Sequence, residues 1–353
     1  MIWKNTQLHN VSELLEPPDG EGLALTRIPN ELRVELNDGA KKAAFSAAGC
    51  EIRFNLQGPQ ARLILRSDAK SPVPLEVYQG NFQVSSHAVD ETPTEITVTA
   101  PTNMEALDKL TKERGLPFDA SLTRMILPYR PPVRLIDLEG DVSPPGPGQT
   151  PPMTQLSYGS SITHGATSAR PTGSYAMRTA QLLGHDLVNL GFGGGAHLEG
   201  QLADYIAGRQ DWDLATLEMG INMVRKEDFT VEVFEERVKY FVGELARTHR
   251  DSWIFCTDLF TFFEDITGKL IGGKLIGGKL IGGEKKQERF RDIVKTTVEE
   301  LDLPRLVYIN GKTLLRDITG LTSDLVHPAP SGMEEIARNL SAEIKKTMGT
   351  GSS

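Results

Sequence analysis

Cysteine is scarce in this sequence: only Cys50 and Cys256 occur in 353 residues. They form no CxxC pair and no Cys/His cluster, so no metal site is expected and both read as buried thiols. Long apolar runs are missing as well. Met1 to Leu15 is mixed polar, which leaves no signal peptide and no membrane-spanning segment, so a cytoplasmic, reduced protein is expected. Excess positive charge is absent. The formal net charge is -9, which argues against nucleic acid and anionic membranes as partners. The pattern G-x-S-x-G is also absent, which argues against the α/β-hydrolase fold.

What is present suits a folded protein. Hydrophobic residues make up 39% and charged residues 24%, enough for a real core with an ordinary surface. A length of 353 residues favours two domains or one large one. From about Gly22 to Asp137 the chain reads as short strands. Leu32–Leu36, Glu51–Leu56, Ala61–Arg66 and Glu95–Thr99 alternate apolar and polar residues, with Asn37-Asp38-Gly39 and Gly58-Pro59 as turns. This predicts an all-β sandwich, jelly-roll-like, over residues 1–145. Asn103 to Arg114 reads as a helix or a long loop. Val142 to Pro152 holds five prolines and two glycines, and residues 146–152 are assigned as a linker.

After the linker, strands alternate with helices over residues 153–350. The strands are Met153–Tyr158, Asp186–Leu190, Asp213–Met219, Trp253–Thr257 and Arg305–Ile309. Helices read over Gly173–Leu183, Leu202–Gly208, the Phe234–Leu245 stripe and Glu284–Leu301. A last helix opens at Ser331, with Glu334 at capping-box spacing. This rhythm predicts a parallel five-stranded sheet covered on both faces, with ligands at the carboxyl ends of the strands.

Those strand ends carry the parts of an acyl-transfer site. Ser161 follows the first strand. His327 follows the fifth, and Asp324 lies three residues before it on a loop stiffened by Pro328 and Pro330. A serine hydroxyl needs a base to become a nucleophile, and a carboxylate fixes the imidazole tautomer. Glycines run from Gly191 to Gly195 after the second strand, and Gly220-Ile221-Asn222 follows the third. A glycine run can aim a backbone N–H, and an asparagine amide can donate, so both loops suit an oxyanion.

Together these blocks resemble those of the SGNH hydrolases, also called GDSL esterases. Gly159-Ser160-Ser161-Ile162-Thr163 resembles the first block, Asn189 to Gly194 the second, Gly220-Ile221-Asn222 the third and Asp324-x-x-His327 the last. The resemblance covers about residues 153–348. It implies a flavodoxin-like three-layer α/β domain, Ser161 as nucleophile, and His327 and Asp324 as base and orienter. It also implies the Ser161 N–H, the Gly194 N–H and Asn222 as oxyanion donors. Ser160 stands where the family name has Asp, and Met223 follows Asn222 where Asp is frequent. A β-sandwich leading such a domain looks like certain carbohydrate esterases.

The expected function is hydrolysis of small acyl esters, acetylated sugars foremost, through an acyl-serine and without a cofactor. A general short-chain carboxylesterase or lipase is the alternative enzyme. A carbohydrate-binding protein with a degenerate hydrolase domain is the non-enzymatic alternative. Ser160, His164 and His197 flank the two loops as candidates for substrate contact, and Asp258 closes the fourth strand as a further pocket candidate. Association with further copies of the chain is left open.

Two other motifs carry less. Gly191-x-Gly193-x-x-Ala196 resembles a dinucleotide fingerprint but does not follow the first strand. Gly268 to Gly282 repeats Gly-Lys-Leu-Ile-Gly three times. Leucine follows each lysine where a phosphate loop needs Ser or Thr. The repeat reads as a flexible inserted loop on the active-site face, and its Leu-Ile pairs suggest an apolar lid.

Overall fold

The computed structural model describes residues 1–272, 274–276, 279–281 and 283–350. Ten strands up to Ser143 join in one antiparallel system. Its spine is Glu51–Ser67, a single strand of 17 residues. Near its start the spine pairs with Thr6–His9 and Leu122–Ile126, and near its end with Thr94–Val98. Val133–Ser143 follows it from Asn55 to Ser67. The sheet folds into a β-sandwich whose core holds Leu8, Phe54, Leu63, Leu75, Ile96 and Leu135. Cys50 belongs to this core and Cys256 to the core of the α/β part; both are free and buried.

Three local expectations are corrected here. Leu32–Leu36 is not a strand, because Asn30–Arg33 is a short helix entered from Pro29. Val34 is 51% exposed and only Leu36 of this run is buried, so the alternation marks no face. Asn37 does not make a hairpin turn. Its side chain accepts from the N–H groups of Gly39 and Ala40 and caps the helix Asp38–Ala43. Gly58-Pro59 does not separate two strands. Ala61 pairs with Gly140 and Leu56 with Val142, so residues 57–60 bulge opposite Asp141 inside one strand. A bulge tolerates proline because no ladder donor is needed there.

The Asn103–Arg114 stretch is a helix, over Met104–Arg114. Beyond the proline-rich stretch come five parallel strands: Thr154–Gly159, Asp186–Gly191, Leu214–Glu218, Trp253–Thr257 and Leu306–Ile309. Their spatial order is second, first, third, fourth, fifth, the doubly wound order of a flavodoxin-like sheet. Helices Gly200–Gly208, Val231–Thr248 and Lys286–Leu301 cover one face through Leu202, Phe234, Phe241 and Phe290. Tyr175–Leu183 and Pro330–Thr350 cover the other through Tyr175, Ala180, Met333 and Leu340. The last helix opens at Pro330, and the expected capping box is not made. Glu334 instead pairs with Arg178 at 2.9 Å and Arg338 at 2.7 Å.

The two parts interlock. Ile28, Leu36, Ala40, Ala43 and Ala44 pack into the core of the parallel sheet rather than that of the sandwich. A buried ionic chain also crosses between them. Arg124 grips Glu51, Arg53 donates to Glu51 at 2.8 Å, and both Arg53 nitrogens reach Asp186 at 2.6 Å. Asp186 opens the second parallel strand.

In the Gly-Lys-Leu-Ile-Gly repeat, Lys274–Ile276 and Lys279–Ile281 pair as an antiparallel ladder. Gly273, Gly277, Gly278 and Gly282 lie outside the described residues, as do the side chains of the second and third Leu-Ile pairs, whereas Ile271 of the first is half-buried against the core of the parallel sheet.

Candidate active site

The first parallel strand ends at Gly159, and the chain turns at once into the short helix Ser161–His164. Ser160 caps that helix, its hydroxyl accepting the Ile162 N–H at 3.1 Å. Ser161 is therefore the first helical residue, and its own N–H has no carbonyl of that helix to bond. Its Oγ lies 2.8 Å from His327 Nε2. On the far side of the ring, His327 Nδ1 lies 2.7 Å from Asp324 Oδ2. With the carboxylate there, Nδ1 carries the proton and Nε2 is left free to accept from Ser161.

The Asp324 carboxylate is held from several sides. Its Oδ1 accepts from the Val326 N–H, the His327 N–H and the Thr322 hydroxyl at 2.8, 2.9 and 2.9 Å. Partial burial works against its charge. The donors from His327, Val326 and Thr322 outweigh that and hold its carboxyl well below the usual range. Asp324 is thus an ionised anchor for the ring.

The glycine loop passes beside the nucleophile: a Cβ built on Gly193 would sit 3.6 Å from Ser161 Cβ. Gly194 takes φ +75°, the left-handed region that glycine enters without strain. Gly195 has a different reason to be glycine. A Cβ there would lie 2.2 Å from the Ala40 nitrogen, so the Asp38–Ala43 helix packs backbone against backbone on this loop. Asn222 closes the group. Its Oδ1 accepts the Ala196 N–H at 3.2 Å, which leaves the amide nitrogen for the cleft.

Ser161, His327, Gly194 and Asn222 line one cleft of about 780 Å³. The wall opposite the parallel sheet is built by residues before the proline-rich stretch, among them Lys42, Phe45, Arg130 and Pro131. The other candidates divide. His164 lines the cleft, whereas Ser160 and His197 are not among its described lining residues. Ser160 is spent on the helix cap. His197 accepts from Lys226 Nζ at 2.8 Å and packs at a tilt against the Phe229 ring, 4.7 Å between centroids. Burial, helped by Lys226 and Arg237, lowers its pKa to about 4.

His164 is buried, and its Nε2 donates to the Tyr129 carbonyl at 2.9 Å. Its Nδ1 then receives the Gly193 N–H at 3.4 Å. Burial, with Arg27 and Arg130 nearby, lowers its pKa to about 3. It is a neutral brace for the glycine loop. Asp258 is buried away from the cleft, bonded by the Tyr308 hydroxyl and the Gly311 N–H at 2.6 Å each.

Two supporting residues escaped the sequence reading. Glu218 ends the third strand, and its Oε2 accepts the Ser160 N–H at 2.6 Å and the Thr163 hydroxyl at 3.2 Å. Burial pushes its carboxyl up. An acid closing an apolar strand just before Gly220-Ile221-Asn222 was the available signal. Arg27 is fully buried and donates to the carbonyls of Ser46, Ala43, Asn189 and Gly191 at 2.8, 2.6, 2.7 and 2.7 Å. It ties the cleft wall to the strand that feeds the glycine loop, and no local pattern announces it.

The arrangement can take a proton from a hydroxyl, pass it to a leaving group and stabilise an oxyanion beside it. Among the described residues, no group of three or more His, Cys, Asp or Glu is placed to hold a metal. None of the described helices is long and apolar enough to cross a membrane.

Residues 157–335 match the model of the GDSL-like lipase/acylhydrolase family. No curated protein matches the chain. Among solved structures, a salicylyl-acyltransferase from a tetracycline biosynthetic pathway has a TM-score of 0.75 at 18% identity, over 98% of this chain and 95% of that one. A family two carbohydrate esterase from Cellvibrio japonicus has a TM-score of 0.60 at 16% identity, over 98% and 96%. An acetyl xylan esterase from the rumen bacterium Butyrivibrio proteoclasticus has a TM-score of 0.52 at 12% identity, over 86% and 91%. At such identities the likeness is one of fold. The family match spans just over half of the sequence and contains the serine, glycine, asparagine and aspartate–histidine blocks: the chain belongs to the GDSL-like lipase/acylhydrolase family.

Proposed function

We propose that the chain is a serine esterase that hydrolyses short-chain acyl esters, acetyl esters of carbohydrates foremost, through an acyl-serine intermediate. The observation that carries this reading is the Ser161–His327–Asp324 line, with contacts of 2.8 and 2.7 Å, at the floor of an open cleft.

In the first half-reaction Ser161 Oγ attacks the ester carbonyl carbon while His327 Nε2 takes its proton. The carbonyl oxygen becomes an oxyanion and is met by the Ser161 N–H, the Gly194 N–H and the Asn222 amide. The tetrahedral species collapses, the acyl carbon keeps its bond to Oγ, and His327 returns the proton to the departing alcohol. In the second half-reaction water attacks the acyl-serine, His327 again takes and returns a proton, and the acid leaves. Asp324 stays ionised throughout and steadies the imidazolium.

The carbohydrate preference is supported by the fold shared with family two carbohydrate esterases, in which strands precede the α/β part. It is tested by initial rates on acetyl-xylan, acetylated glucose and p-nitrophenyl esters from acetate to octanoate. Acetyl esters turned over fastest, with loss of all turnover in Ser161→Ala, is the expected result. Octanoate faster than acetate would make the protein a general carboxylesterase or lipase. Absence of turnover on every ester, with saturable sugar binding, would make it a binding protein.

A further inference from the structure

The charge of the cleft runs against that of the chain. The sequence has a formal net charge of -9. Yet the described residues lining the cleft include Lys42, Arg130 and Arg225 and no aspartate or glutamate. Arg225 is neutralised, because its Nε and Nη2 donate to the two Glu264 oxygens at 2.8 and 2.7 Å. Lys42 and Arg130 are different. The acid on the helix of Lys42, Asp38, lies 3.9 Å from Lys41 instead. Arg130 lies over the Tyr129 ring, 5.8 Å from its centroid. Neither has an ion-pair partner among the described residues, and both are exposed.

Both cations also lie outside the family-matched segment 157–335. They come from the wall that the N-terminal part adds to the cleft, facing Ser161 and the glycine loop. The same wall adds Phe45, Ser46 and Pro131. A cleft with two unpaired cations on one wall discriminates by charge: an anion gains from both, and a neutral ring gains from neither.

We propose that the preferred substrate is an anionic ester, an acylated sugar bearing a carboxylate or a phosphate, whose charged group is held by Lys42 and Arg130. This rests on the esterase reading and names its substrate class. The N-terminal part is then the selector, and the family-matched part performs the chemistry.

The test compares three substrates at fixed ionic strength: acetylated glucose, acetylated glucuronate and acetylated glucose 6-phosphate. At least one acidic sugar acetate should exceed the neutral one in kcat/KM by about tenfold, and rising salt should erode that advantage. Which acid is favoured separates carboxylate from phosphate as the recognised group. Lys42→Gln and Arg130→Gln should each shrink the acidic-to-neutral ratio about fivefold or more, since each removes one of two cations. Their exposed, unpaired side chains make both variants suitable for a folded comparison, checked by melting temperature. A wild-type protein equally fast or faster on the neutral ester overturns the anion site and leaves the esterase reading standing. If none of the three is hydrolysed, calorimetric titration of Ser161→Ala with glucuronate and glucose 6-phosphate decides. Saturable binding weakened by Lys42→Gln supports the anion site, and no binding overturns it. Labelling of Ser161 by an organophosphonate judges the esterase reading separately.

Discussion

Asn222 offers a sharp test of the oxyanion geometry, because its two amide ends have separate tasks. Oδ1 accepts the Ala196 N–H at 3.2 Å, and the nitrogen is left to the cleft. Asn222→Ala removes both. The lost acceptor should cost about 1 kcal/mol of stability. The lost donor should cost about 10² to 10³ in kcat, or roughly 2.7–4 kcal/mol of transition-state stabilisation. Asn222→Asp separates the two effects. It keeps an oxygen for Ala196 and turns a carboxylate oxygen toward the place where negative charge develops. Its melting temperature should stay near that of the wild type, while kcat falls at least as far as in the alanine variant. KM should move little, because the oxyanion forms only on the way to the transition state. The assay is saturation kinetics on p-nitrophenyl acetate beside a thermal melt. Wild-type kcat in Asn222→Asp would refute the donor role.

Three further predictions concern the frame around the site. Asp186→Asn strips Arg53 of its buried partner and should destabilise the fold by about 3–5 kcal/mol in a denaturant titration; a change below 1 kcal/mol would mean that water already relieves the pair. The same network sets the acid limit of stability. Glu51 and Asp186 pay for burial, but Arg124 and Arg53 hold both carboxyls well below their ordinary values of 4.5 and 3.8. Depressed carboxylates contribute stability that is present above the ordinary value and lost as pH falls through the folded one. The melting temperature should therefore hold down to about pH 5 and then drop steeply, with a shallower acid drop in Asp186→Asn; parallel curves would contradict this. Gly195→Ala places a Cβ 2.2 Å from the Ala40 nitrogen, so the loop or the Asp38–Ala43 helix must move. Activity should fall far more than in Gly208→Ala, where nothing lies within 4 Å.

Much of the α/β part was legible because its signals are local. Buried parallel strands read as apolar runs, and a helix such as Val231–Thr248 announces itself by spacing. The glycines, Asn222 and the Asp324–His327 pair sit where those strands end, so placing the strands places them. The β part was harder. Leu32–Leu36 alternates as a strand would, yet the chain entering from Pro29 makes the short helix Asn30–Arg33 and then turns, and Leu36 packs into the other core. Gly58-Pro59 reads as a turn until its partner strand absorbs it as a bulge. The approach of Lys42 to Ser161 across the cleft, and the hold of Arg27 on the Asn189 and Gly191 carbonyls, join residues more than a hundred positions apart in the chain. No window of sequence contains both ends of such a contact.

The proposed reaction requires one hydroxyl of this chain to attack esters with a histidine at its back. Mass spectrometry after incubation with an organophosphonate addresses it directly. A single adduct on the peptide carrying Ser161, absent in Ser161→Ala and much slower to form in His327→Ala, is the predicted result. An adduct on another residue, or labelling that survives in Ser161→Ala, would contradict it.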